Sequence, residues 1–207
     1  MTELEAVNTL LSIIGEAPID KLADIKANEI TDASLARKTL KEVSRDVQAE
    51  GWLFNTENEV SVSVDTQGEY PLPENALRCD FSPNRYANSQ LVARGNRIYD
   101  RSARTFEIDN SNEPIVIDQV VMELDWEELP HAAQQYISIR SGRIYSDRYI
   151  NSNVIFSYTV QDESYSRAQL VRFEEASLSS NLLWGNDRHM GQGNGYIPAM
   201  GTRYRMN

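Results

Sequence analysis

The chain has 207 residues, enough for one large domain or two small ones, and an apolar content of 41% that argues against a disordered chain. Its formal net charge of −11 argues against a protein built to grip nucleic acid phosphates, which takes several Lys or Arg contacts. No run approaches the ~20 apolar residues of a membrane span, and the single cysteine, Cys79, allows neither an intrachain disulfide nor a thiolate metal cluster.

A chain outside the bilayer is therefore expected. The acidic N-terminus MTELEAVN has neither the basic region nor the apolar core of a signal peptide. Charge is distributed unevenly, at −4 over residues 1–50, −9 over 51–130, zero over 131–184 and +2 over 185–207. All four lysines (Lys21, Lys26, Lys38, Lys41) fall in the first fifth of the chain, whereas fourteen of the sixteen arginines follow position 45. Arginine holds carboxylates with a planar fork and gives up hydration more readily than lysine, so this bias suits interfaces.

Residues 2–14, TELEAVNTLLSII, predict a helix. Thr2 and Glu5 have capping-box spacing, and Leu4, Val7, Leu11 and Ile14 share a stripe. Gly15 is placed to end it and Pro18 to keep it from resuming. A second helix over TDASLARKTLKEVSRDVQAE carries Ala33, Ala36, Leu40, Val43 and Val47 on one face and stops at Gly51. The pair suits an antiparallel hairpin.

From Trp52 to about Leu124 the pattern is β. Val60, Val62 and Val64 alternate with serines, and EYPLPENALRCDF, QLVARGNRIYD, RTFEI and PIVIDQVVMEL follow as short runs between turn residues. RGNR, 94–97, predicts a hairpin turn, and the whole predicts an antiparallel sheet or small barrel of about five or six strands. Helical character returns from Asp125, with Pro130 in the first turn, Ala133, Ile137 and Ile144 on one stripe, and Arg143 four residues before Asp147. Gly142 inside that helix suggests close packing. A last helix is predicted over roughly 153–182. The expected fold is α+β: an antiparallel helical bundle from residues 1–51 and 125–184, an inserted antiparallel β domain over 52–124, and an extended C-terminal tail over 185–207. Gly51, Trp52 and Phe54 then form the seam between bundle and sheet, with the two aromatics as apolar plugs.

The tail, GNDRHMGQGNGYIPAMGTRYRMN, holds five of the ten glycines and three of the five methionines. Glycine at that density builds no core, yet Met190, Tyr196, Met200 and Tyr204 are apolar anchors, and Arg188, Arg203 and Arg205 oppose the charge of the body. The combination reads as a strap that orders on a partner.

No catalytic constellation is evident, and neither a catalytic residue nor a cofactor or metal site is assigned. His131 and His189 are far apart in sequence, HExxH, Walker A and GxSxG motifs do not occur, and GQGNG lacks the strand and helix of a phosphate cradle. The adjacent acids Glu127/Glu128 and Glu174/Glu175 face apart on a helix, unlike the paired carboxylates of a glycosidase.

AVNTLLSIIGEAPI (6–19), ASLARKTLKEVSRDVQAEGWLFN (33–55), IYDR (98–101) and ELPHAAQQYISIRSGRIYSDRYI (128–150) together resemble tail tubular protein A of short-tailed bacteriophages, the head-to-tail adaptor or gatekeeper. The resemblance covers roughly residues 4–160 and is most specific in the Ile-Gly-Glu-x-Pro turn and the helix ending in Gly-Trp-x-Phe-Asn. It implies a non-enzymatic virion protein of the tail, assembled in the host cytoplasm. It also implies a ring of twelve copies beneath the portal protein and above a tail nozzle protein, with tail fibres nearby, viral DNA passing through, and no membrane partner. An acidic lumen would let DNA slide without sticking. The competing expectations are a peptidoglycan-cleaving tail enzyme and an acidic carbohydrate-binding module.

Overall fold

Thr2 caps the first helix as its spacing predicts. Its Oγ1 accepts from the Glu5 N–H at 3.1 Å, and the Glu5 carboxylate accepts from the Thr2 N–H at 2.8 Å. The computed structural model describes residues 1–25, 31–82, 85–86, 90–108, 113–149 and 160–184. Helix α1 spans Glu3–Ile13 and closes in a Schellman motif, with the Gly15 N–H on Ser12 O, the Glu16 N–H on Leu11 O, and Gly15 at φ +79°. Helix α2, Asp32–Ala49, is capped by Thr31 and ends where Gly51 turns the chain at φ +81°. Two more helices follow the strands: α3 over His131–Tyr149 and α4 over Val160–Trp184. Pro130 stands just before α3 and lends its carbonyl to the N–H groups of Ala133 and Gln134, so the helix starts later than predicted, after a 3-10 turn at Trp126–Glu128.

The β region contains β1 (Thr56–Val62), β2 (Ala76–Asp80), β3 (Leu91–Arg94), β4 (Arg97–Asp100) and β5 (Ile115–Met122). They do not make one sheet or barrel. The described strands form an antiparallel three-stranded sheet in the order β1-β5-β2 and a separate β3–β4 hairpin. Proline explains part of the break. Pro71 and Pro73 have no N–H to donate to a ladder, so the hairpin meets this segment through an isolated Pro71–Arg97 bridge, with the Leu72 N–H on Asn96 O and the Ile98 N–H on Tyr70 O. The RGNR turn is a two-residue hairpin loop, with Gly95 supplying the positive φ of +62°.

Two apolar clusters result. Ala6, Leu10, Leu40, Val47, Ile137, Tyr145 and Leu170 lie in one, contributed by all four helices. Val62, Tyr70, Leu91, Ile98, Ile115 and Ile117 lie in the other, between sheet and hairpin. The alternation of β1 puts Val62 into this second cluster while Ser61 stays exposed. Strand β5 is central and is covered on both sides near its end: Val120 belongs to the sheet cluster, and Val121 reaches Gly51 at the end of α2. The α+β architecture of the sequence reading is the architecture of the protein.

Candidate assembly surfaces

Gly51 lies where α2 meets the sheet. A Cβ there would come within 2.9 Å of the Arg78 guanidinium and 3.1 Å of Val121 Cγ2. Trp52 and Phe54 stack with their rings 7° from parallel and 6.4 Å between centroids. Both are half-buried against the helical cluster, and the Trp52 indole N–H donates to Val47 O at 2.7 Å. The link between helix and sheet is polar. Buried Gln48 accepts from the Leu124 N–H at 2.7 Å and donates to Leu124 O at 3.2 Å. Buried Asn55 donates to Gln48 O at 2.9 Å and to Met122 O at 2.8 Å, and its side-chain oxygen accepts from the Trp52 N–H. Two amides thus tie the end of α2 to the end of β5, satisfying backbone groups that water cannot reach. The sequence reading missed them because one Gln and one Asn carry no periodic signal.

Helix α4 is fastened to the body by charge. Arg167 grips Glu50 with both terminal nitrogens, at 3.0 and 2.7 Å, and donates to the Tyr136 hydroxyl at 3.1 Å. These bonds, first the one to Glu50 and then the one to Tyr136, push its guanidinium pKa further up. Arg143 joins Glu163 of α4 to Asp147 of α3, and the Glu174 carboxylate accepts from the Leu53 N–H at 2.9 Å. Few of the described apolar side chains of α4 are buried. Leu170 is the fully buried apolar residue of α4 among its described side chains, while Val160 (69% exposed), Val171 and Leu178 (49%) share one flank in the open, with Tyr165 and Phe173 exposed elsewhere on the helix.

The β3–β4 hairpin presents a second surface. Arg94 lies 3.9 Å over the Tyr99 ring and Arg97 4.4 Å over Phe106, and the two rings meet edge-on at 4.9 Å. The following turn is pinned by Asp100, whose carboxylate accepts from the N–H groups of Gln90, Ser102 and Ala103. That turn holds Arg101 and Arg104 in the open.

A third feature is a cavity of about 350 Å³ between α2, β5 and the loop before β2. Leu40, Leu124 and Trp126 give it apolar walls, and the carboxylates of Glu74, Asp125 and Glu127 line it together with the ammonium of Lys41.

These surfaces can bind but offer little chemistry. Glu127 lines the cavity, whereas Glu128 accepts the Asp125 N–H. Glu174 is taken by Leu53, and His131 is exposed at the start of α3. Among the described residues no group of three or more His, Cys, Asp or Glu could hold a metal ion, and no helix is long and apolar enough to cross a membrane. Burial, reinforced by Asp80, pushes the Cys79 thiol up, away from the reactive thiolate. The tail residues Arg188, Met190, Tyr196, Met200, Arg203, Tyr204 and Arg205, together with His189, lie outside the described residues.

Comparison with protein families supplies the identity. The tail tubular protein family model matches residues 4–179. The chain belongs to the tail tubular protein family. It is a structural protein of a bacteriophage tail, a component of the virion. A search of curated proteins finds no match.

Proposed function

We propose that this tail tubular protein is the head-to-tail adaptor of its phage: twelve copies form a ring between portal and tail nozzle, line the DNA channel, and offer attachment to nozzle and fibres. The match over residues 4–179 carries this reading. The exposed flank of α4 supports it, since Val160, Val171 and Leu178 are apolar surface that a neighbouring copy would remove from water. The net charge of −11 per copy supports a lumen along which DNA slides. On this reading the chain divides into a helical unit over 1–51 and 125–184, an inserted β unit over 52–124, and the strap at 185–207.

The strap runs along the portal or a neighbouring copy, anchored by Met190, Tyr196, Met200 and Tyr204 and steered by Arg188, Arg203 and Arg205. It gains burial only when a groove is supplied, and must offset its own ordering entropy. Two experiments bear on the proposal. Heads that carry the portal but lack this protein should accept the nozzle only after the purified protein is added, and nozzle attachment without it would refute the adaptor role. Removing residues 185–207 should leave circular dichroism and melting similar while weakening docking to such heads in a salt-dependent way. Docking at wild-type affinity at every salt concentration would show that the strap does not hold the ring.

A further inference from the structure

We infer that the β3–β4 hairpin docks into the carboxylate-lined cavity of a second copy of this chain. The inference rests on the ring reading and deepens it by naming the two faces that meet.

Nine described arginines form ion pairs within the chain: Arg37, Arg45, Arg78, Arg85, Arg97, Arg140, Arg143, Arg148 and Arg167. Arg94, Arg101, Arg104 and Arg172 form none with the described residues. In a chain with 31 acidic and 20 basic residues, an arginine without a carboxylate is the exception. Three of these four fall within the eleven residues 94–104. The platform beneath them is rigid: Tyr99 under Arg94, Phe106 against Tyr99, and Asp100 clamping the turn that carries Arg101 and Arg104. A backbone held in place loses less freedom on binding than a free loop does.

The cavity has the complementary chemistry. Of its lining carboxylates, Glu3 and Glu123 pair with Arg37 and Arg45, and Lys41 brings one positive charge to the lining against the three carboxylates that remain. Glu74, Asp125 and Glu127 have no ion-pair partner among the described residues. Their carboxylates stand beside Leu40, Leu124 and Trp126, a lining that takes an arginine stem on its apolar part and the guanidinium on its oxygens. No described ion pair joins hairpin and cavity within one chain. Ring contacts bring two unlike patches together and repeat by rotation, and a basic patch with an acidic cavity on the same chain is such a pair. DNA is the less fitting occupant. Three arginines without a carboxylate partner among the described residues neutralise few phosphates on a body of charge −11, and Glu69 already pairs with the neighbouring Arg97.

The test uses the full-length chain and portal-bearing heads under conditions where the wild type forms rings. R101E/R104E should lower ring assembly at least tenfold with melting unchanged, and the milder R101Q/R104Q should give a smaller loss that grows with salt. Adding the reciprocal change, R101E/R104E/E74R/E127R, should restore assembly. Rings from R101E/R104E at the wild-type level, or a loss that the reciprocal change does not restore, would overturn the proposal. So would a variant that assembles normally but no longer retards double-stranded DNA, which would assign the hairpin to nucleic acid. Failure of the wild type to form rings on portal-bearing heads would instead refute the ring reading, and this contact with it.

Discussion

Replacing Gly51 with alanine should be among the most damaging single-methyl changes in this protein, and Gly15 provides the control. Both glycines end a helix at nearly the same backbone angle, φ +81° and +79°. An L-residue there costs roughly 1–2 kcal/mol in backbone strain. At Gly15 nothing lies within 4 Å of the new Cβ, so strain is the whole effect. At Gly51 the methyl would press on Val121 Cγ2 at 3.1 Å and on the Arg78 guanidinium at 2.9 Å. Val121 is in the central strand β5 and has little room to yield. Arg78 could swing away, but it would leave the Ala49 and Glu50 carbonyls it reaches at 3.4 Å at the negative end of α2. Adding about 1–2 kcal/mol for overpacking brings G51A to about 2–4 kcal/mol, against about 1–2 for G15A. At this chain length the difference of about 1–2 kcal/mol is worth about 2–8 °C in melting temperature. Thermal and urea unfolding of both variants, followed by circular dichroism, would measure it. Equal losses at the two sites would show that helix and sheet do not close on Gly51.

The amide bridge yields a related expectation. N55A should cost about 2–3 kcal/mol by stranding the buried carbonyls of Gln48 and Met122. W52A, whose ring is half-buried, should cost about 2–3 kcal/mol, below the 3–5 typical of an enclosed aromatic. A denaturation midpoint unchanged in N55A would remove the bridge from the account. Cys79 gives a pH signature: its folded pKa is raised, so the stability linked to it is complete below the ordinary thiol value and is lost as pH rises through the folded value. Between pH 8 and 10.5 the wild type should therefore lose more stability than C79A, and superimposable curves would contradict the burial of this thiol.

Local features of the fold were legible in the sequence because their causes are local. Thr2 and Glu5 are three residues apart, Gly15 and Gly51 sit where a helix must reverse, and Gly95 fits a two-residue hairpin. Strand order was not legible. Thr56 pairs with Val121 and Ala76 with Met122, and nothing near Thr56 specifies a partner 65 residues away. The amphipathic stripe told which face of α2 is buried. In α1 it was displaced, since Ala6, Leu10 and Ile13 are buried with Val7 and Leu11 while Leu4 and Ile14 are only partly covered. Helix α4 gave no such answer, its link to Glu50 lying 117 residues back in the chain. The hairpin arginines were visible as letters in an acidic segment. That three of them lack a carboxylate partner among the described residues emerged only once the other arginines were seen paired.

One image would decide whether this tail tubular protein is the adaptor proposed. Electron microscopy of portal-bearing heads saturated with the purified protein, reconstructed without imposed symmetry, would count its copies and show where they sit. The account predicts a closed ring of twelve directly beneath the portal, with the hairpin of each copy against the next. Copies scattered without rotational order, or bound only at the far end of a completed tail, would contradict it.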